Sequence, residues 1–155
     1  MKIVHEVLKQ KDGNVWSIAP NDSVYNAIAK MADHSVGALL VVDNDLARVG
    51  PPRYERHLVG IISERDIVRG LPEHGAHLLS MKASELMTSS VKTCTPDDKV
   101  EDIMSEMTIH RFRHVPVVSD GKLCGIISIG DVVKNRLEEL ETETHVLRDF
   151  IVGRS

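Results

Sequence analysis

Two stretches of the chain share one pattern, Gly60-Ile61-Ile62-Ser63-Glu64-Arg65-Asp66 and Gly125-Ile126-Ile127-Ser128-Ile129-Gly130-Asp131. Each is a short apolar run ending in a hydroxyl side chain, with a carboxylate three positions further on. That order predicts a buried strand feeding a helix, with Ser and Asp at the junction. Ile3, Val4, Val7 and Leu8 recur at helical spacing and predict a short amphipathic helix before the polar stretch 9–14. A brief strand-like run, 15–19, precedes Pro20 and Asn21-Asp22-Ser23, which read as a helix start; Val24, Ala27, Ile28 and Met31 then fall on one face. Residues 37–42 and 58–63 read as buried strands, separated by a polar, Pro- and Arg-containing segment. A helix over 64–69 is closed by Gly70 and Pro72.

The second half repeats the first. Adding 76 to the first helix face gives Val100, Ile103, Met104 and Met107, all apolar, and carries Pro20 onto Pro96 and Asp22 onto Asp98. The later strand matches at an offset of 65, Gly60 onto Gly125, Ser63 onto Ser128 and Asp66 onto Asp131. The two offsets differ by 11, the extra residues that the first copy carries between its strands; in the second copy a tight turn at Asp120-Gly121 replaces them. Each copy reads as strand, helix, strand, strand, helix. Neither buries both faces of a small sheet alone, so the two are expected to pack sheet against sheet about a pseudo-twofold axis. Beyond Asp131, positions 133, 137, 140, 144, 147 and 151 follow spacings of four and three, predicting a long helix whose seam packs on the N-terminal helix or on a second chain. The expected divisions are 1–13 (N-terminal helical segment), 14–72 (first repeat), 73–90 (linker), 91–136 (second repeat) and 137–155 (helix extension).

Composition narrows the function. The 155 residues are 42% hydrophobic, one domain's worth. The formal net charge is -4 with both signs mixed, which argues against nucleic acid or membrane surface as partner. The apolar run 36–42 is too short to span a bilayer and the N-terminus lacks a signal-peptide pattern, so a cytoplasmic protein is expected. Cys94 and Cys124 sit in apolar stretches and read as buried thiols.

The Gly-Ile-Ile-Ser-x-x-Asp pattern, the strand Arg113-His114-Val115-Pro116-Val117-Val118, and the Ser17-x-x-Pro20 and Thr93-x-x-Pro96 starts resemble the cystathionine-β-synthase (CBS) domain, which in tandem forms a Bateman module. The resemblance covers residues 14–136 and looks like a stand-alone bacterial CBS pair. It implies an α+β fold of two βαββα repeats packed sheet to sheet with pseudo-twofold symmetry, plus a short N-terminal helix and a long C-terminal helix. It also implies clefts that bind AMP, ADP, ATP or NAD, and a homodimeric disc acting on a protein target.

The residues add their own chemistry to that resemblance. One carboxylate can accept hydrogen bonds from both ribose hydroxyls, each charge-assisted bond contributing about 1.5–3 kcal/mol. Asp66 and Asp131 are the expected acceptors, although Asp at a helix start is also an ordinary cap. A helix N-terminus offers free N–H groups to phosphate; Ser63, Arg65, Ser128, Gly130, Arg111, Arg113 and His114 are the expected phosphate partners. A solvated basic turn is the alternative for Arg111 and Arg113. The first repeat has Gly37 and Ala38 where the second has Arg113 and His114, so the two clefts are not equivalent. By family analogy, Ser17, Ile18, Ala19, Gly37, Ala38, Thr93, Cys94, Thr95 and Pro116 line the adenine slots. With 3% aromatic residues, ring stacking is not the main grip; Trp16 and Phe112 read as core.

The His74-x-x-His77 and His110-to-His114 pairs lack further ligands, so no metal site is expected. No nucleophile elbow, phosphate loop or dinucleotide fingerprint occurs, and no catalytic residue is assigned. The expected function is therefore a regulatory adenine-nucleotide-binding protein and not an enzyme. An empty-cleft interaction scaffold is the alternative, followed by a small nucleotide hydrolase.

Overall fold

The structure, a computed structural model, describes residues 2–11, 15–43 and 57–153. Ser23 caps the first long helix by accepting from the Asn26 backbone N–H, as the sequence pattern predicts. This α2 (Val24–His34) follows a short α1 (Val4–Lys9) and the two-residue strand β1 (Ser17–Ile18). It is followed by β2 (Ala38–Asp43), β3 (His57–Ser63) and α3 (Glu64–His74). A 3-10 helix (Gly75–Ser80) and α4 (Ala83–Leu86) bridge to the second copy, which contains α5 (Val100–His110), β4 (His114–Ser119), β5 (Lys122–Ser128) and α6 (Ile129–Ile151).

The repeat survives in three dimensions down to its irregularities. In the first sheet, ordered β1-β2-β3, Ala38 pairs with Ser63 and the antiparallel register slips between Val41 and Val42. In the second, His114 pairs with Ser128 and the register slips between Val117 and Val118, the same places by the sequence offsets. There the third strand is reduced to a single parallel bridge, Cys94 to Val117. The slip leaves Cys124 without a cross-strand partner, and the residue is exposed, not buried as its apolar neighbours imply. Asp120 and Gly121 both adopt positive φ in the turn between β4 and β5, as expected of that dipeptide.

Each half has its own core. Ile18, Val24, Ala27, Met31, Leu39, Val41 and Ile62 make the first, and Val100, Ile103, Met107, Val115, Val117 and Ile127 the second. The sequence-predicted helix faces are the buried ones. Ala38, Leu40 and Val42 are also buried on the opposite side of β2, the side that a second sheet covers in a sheet-to-sheet pair.

One expectation needs correction, and two are made more specific. The helix after Ser63 does not stop at Gly70 and Pro72 but runs to His74. A Cβ on Gly70 would stand 2.7 Å from Leu86, so this glycine serves close packing against the linker rather than helix termination. Pro72 falls near the helix end, where it forfeits a single intrahelical bond. Secondly, the 73–90 linker is structured; Leu78, Met81 and Ala83 join the first core, and Ala83 N–H donates to Asp22 at 2.7 Å. Thirdly, of the two partners expected for the α6 seam, α1 or a second chain, α1 does not cover it. Val4 and Val7 complete the second core against β5, while Leu137, Leu140 and Leu147 of the seam stay exposed. The 11 extra residues of the first repeat fall outside the described residues.

A segment outside each repeat thus packs on a repeat it does not belong to in sequence. Ile3 bridges to Lys99 ahead of the second repeat's α5, and Lys82 bridges to Ser23 ahead of the first repeat's α2. Leu8 lies against Gly125, and Met87 against Gly60. The signal exists in sequence: at an offset of 79, Val4, Glu6, Val7 and Leu8 correspond to Ala83, Glu85, Leu86 and Met87.

Candidate functional site

The two Ser-x-x-Asp motifs adopt the same geometry. Ser63 is the N-cap of α3, and its Oγ accepts from the Asp66 backbone N–H at 3.3 Å. Asp66 Oδ2 in turn accepts from the Ser63 backbone N–H at 2.9 Å and from its hydroxyl at 3.0 Å. Ser128 and Asp131 make the same capping box on α6, at 3.2, 2.8 and 3.0 Å. The capping role, the alternative weighed for each Asp, is therefore present in both copies. One carboxylate oxygen, Oδ2, carries it in each copy; the additional partner reaches Oδ1 of Asp66 but shares Oδ2 of Asp131 with the cap.

Those partners come from the segments that pack on each sheet, and they differ in charge. In the first half, Thr88 pairs with Ile61 through both backbone groups and its hydroxyl donates to Asp66 Oδ1 at 3.1 Å. In the second, the Lys11 ammonium takes both roles alone, donating to the Ile126 carbonyl and to Asp131 Oδ2, each at 2.8 Å. Burial pushes the Asp131 carboxyl up, but Lys11 and the Ser128 donors together outweigh it and hold it below the usual carboxylate range. Sequence reading missed Lys11 and Thr88. Both sit in polar stretches, and Lys11 is 120 residues from its carboxylate partner; the 79-residue correspondence marks the two covering segments, but it sets Lys11 against Ser90 and Thr88 against Lys9, and so does not single out either residue.

Part of the expected phosphate set converges at the start of β4. Arg65 of the first repeat donates through Nη1 to the Arg111 carbonyl of the second at 3.4 Å. Arg111 closes α5 in the left-handed conformation, matching Ser35 at the end of α2. His114 is half-buried, and its imidazole is pushed down from its ordinary value by burial, then by Lys11 and Arg113, against opposing pulls from Asp131 and Glu64. Glu64 from one repeat and Lys11, Arg113 and Asp131 from the other part of the chain thus share one electrostatic neighbourhood. Arg111 and Arg113 side chains are exposed, as is Gly130. Ser63 and Ser128 are committed to their caps.

The adenine-slot residues separate into two groups. Ile18 and Cys94 turn their side chains into the two cores; burial pushes the Cys94 thiol up to about 12, with Asp98 adding to the shift. Their backbones are engaged in strand pairing, Ile18 with Val41 and Cys94 with Pro116 and Val118. Ser17 is half-buried and its carbonyl accepts from the Lys30 ammonium. The Ala19 and Thr95 backbone N–H groups donate to Asp22 and Asp98, at 3.1 and 2.9 Å, and Thr93 is exposed. Ala38 and Pro116 are buried on the inner faces of β2 and β4. Gly37, whose carbonyl accepts from Glu64 N–H at 3.0 Å, borders a cavity of about 640 Å³ with Ile28, Met31, Glu64 and Ile67. Trp16 is stacked on His34, with ring centroids 3.5 Å apart, and it and Phe112 pack on the two cores rather than presenting a free platform.

Among the described residues no group of three or more His, Cys, Asp or Glu is arranged to hold a metal ion, and no helix is long and apolar enough to cross a membrane.

Two βαββα repeats, each carrying a Ser-x-x-Asp capped helix and touching through Arg65 and the Arg111 carbonyl, define a tandem-repeat α+β module. The chain belongs to the CBS domain family, whose model matches residues 6–73 and 83–138. It is 37% identical to the mitochondrial CBS domain-containing protein CBSX3 of Arabidopsis thaliana, over 97% of this chain and 72% of that protein. Among solved structures it is similar to the CBS-domain containing protein ATU1752 from Agrobacterium tumefaciens, with 37% identity, a TM-score of 0.78, and 86% and 92% of the two chains covered. It also resembles CBSX2, solved in complex with AMP, at 26% identity and a TM-score of 0.67, over 89% and 98% of the chains.

Proposed function

We propose that the chain is a regulatory, non-catalytic CBS pair that binds an adenine nucleotide (AMP, ADP, ATP or NAD) between its repeats. In this reading it acts as a cytoplasmic homodimer, reporting energy or redox state to a protein target. The carrying observation is the charged neighbourhood between the repeats, where Asp131, Lys11, His114 and Arg113 meet Glu64 and Arg65. It combines an acceptor for sugar hydroxyls with cations for phosphate. The AMP carried by the structurally similar CBSX2 supports the same ligand class.

In this reading Asp131 holds the ribose while Lys11 turns toward the phosphate. Of its three N–H donors two are engaged, one by Ile126 and one by Asp131, leaving a third free. Binding changes the module's shape only to the extent that the ligand prefers one state over another. Asp131→Ala removes one or two charge-assisted bonds and should weaken AMP binding about 10- to 100-fold. Isothermal titration of both proteins checks this; equal affinities reject the assignment.

A second reading is supported by a specific observation. Both carboxylates already have protein partners, so the module can stand as a scaffold with empty clefts. A thermal-shift screen with AMP, ADP, ATP and NAD decides between the two, since a scaffold shifts with none of them.

A further inference from the structure

Beyond residue 140 the α6 helix leaves the body of its own chain. Every residue from 141 to 151 is exposed, including Leu147 at 61%, Phe150 at 82% and Ile151 at 79%. An isolated helix of this length is marginal in water, and apolar side chains so exposed favour neither solubility nor helicity. The seam is continuous with the part nearer the body, because Val133, Leu137 and Leu140 are also exposed, and Val133 and Leu137 border a shallow groove along the helix.

The spacing assigns a heptad in which Leu137, Thr144 and Ile151 take position a, and Val133, Leu140 and Leu147 take position d. Leu at two of three d positions with β-branched residues at two of three a positions suits two parallel strands. The Thr144 hydroxyl already donates to the Leu140 carbonyl at 2.8 Å, so covering it strands no polar group.

Charge decides the partner and the direction. Positions g are Arg136, Glu143 and Phe150, and positions e are Lys134, Glu141 and Arg148. In a parallel, in-register pair, g of one helix meets the e five residues on in the other. Arg136 then faces Glu141 of the second chain and Glu143 faces Arg148, both attractive and both duplicated by symmetry. An antiparallel pair centred on the seam sets Glu141 against Glu141, Glu143 against Glu143 and Lys134 against Arg148, all repulsive. Among the described residues Arg136 is held within its own chain by Glu139, through Nη1 at 3.2 Å, and its guanidinium has further donors to offer.

We propose that residues 133–151 of α6 pair with the same segment of a second copy as a parallel, in-register two-stranded coiled coil. The proposal rests on the dimeric part of the function reading and adds to it a contact surface, a direction and two ion-pair types. It is independent of any nucleotide.

The test uses the full chain carrying Cys124→Ser, which removes the exposed native thiol, together with Ile151→Cys. In a parallel pair the two 151 positions are adjacent near the C-terminal end, so mild oxidation should give a disulfide-linked dimer that reductant reverses. Sedimentation of the reduced protein is run alongside. A dimer in sedimentation with no cross-link overturns the parallel coil and leaves the dimeric reading standing; a monomer overturns both. A charge swap gives a second readout. Arg148→Glu should weaken the dimer about 10- to 30-fold, and adding Glu143→Arg should restore it. An unchanged affinity in Arg148→Glu overturns the assigned pairs.

Discussion

The two halves of the molecule share a register, a bulge and a capping box, yet their carboxylates are closed by different chemistry. Thr88 brings a neutral hydroxyl and a paired backbone to Asp66, whereas Lys11 brings a full positive charge on a flexible stem to Asp131. The difference shows how a duplicated fold diversifies. The strands and helix caps are constrained by packing and by backbone hydrogen bonds, so they stay alike. The segment laid over each carboxylate is constrained only at its apolar anchors, Val4 and Val7 in one half and Ala83 and Leu86 in the other, so its polar reach is free to change.

The most disruptive way to separate the halves is through the paired glycines. A Cβ on Gly60 would lie 2.8 Å from the Thr88 backbone carbonyl and 2.5 Å from the Met87 sulfur. On Gly125 its neighbour is the far end of Leu8, a flexible side chain, at 2.8 Å. Gly60→Ala should therefore cost about 2–3 kcal/mol in urea unfolding, and Gly125→Ala under about 1 kcal/mol. Equal costs would mean that the two covering segments are held equally firmly.

A smaller effect sharpens the role of charge. Lys11→Met keeps the stem and removes the ammonium, so AMP binding should weaken about 10-fold while adenosine binding changes little. Titrating both ligands into both proteins checks it, and an equal loss for the two would place Lys11 on the sugar rather than the phosphate.

The smallest effect is on pH. The folded state holds the His114 imidazole below its ordinary value of 6.5, so the unfolded chain binds protons that the folded chain resists. Stability contributed by neutral His114 is complete above 6.5 and is lost as pH falls below it. Asp131 acts in a lower window, its contribution being present above 3.8 and lost as pH falls from there through its depressed folded value. Hydrogen exchange at pH 7 and pH 5 should show protection lost first around β4 and β5, and His114→Asn should flatten that loss.

Much of this was legible in the chain. The faces Val24-Ala27-Met31 and Val100-Ile103-Met107, the strands ending at Ser63 and Ser128, and the Asp120-Gly121 turn follow from periodicity and turn chemistry, which are local. The repeat then fixed which residues correspond. Gly70 and Pro72 misled, because their reading as a stop assumes a solvent-exposed helix end, and here Leu78 and Leu86 pack over the glycine. Cys124 misled because its neighbours' alternation is interrupted by the bulge.

By itself the sequence determined the duplicated βαββα architecture, the capped Ser-x-x-Asp junctions and the heptad of the last helix, since each is written in residues a few positions apart. Only the tertiary structure decided that α1 lies on the second repeat and the linker on the first, and hence that Lys11 and Thr88 meet the two carboxylates. Those contacts join residues far apart in the chain, where loop-closure entropy is recovered only by the packed core and no local preference records the partner.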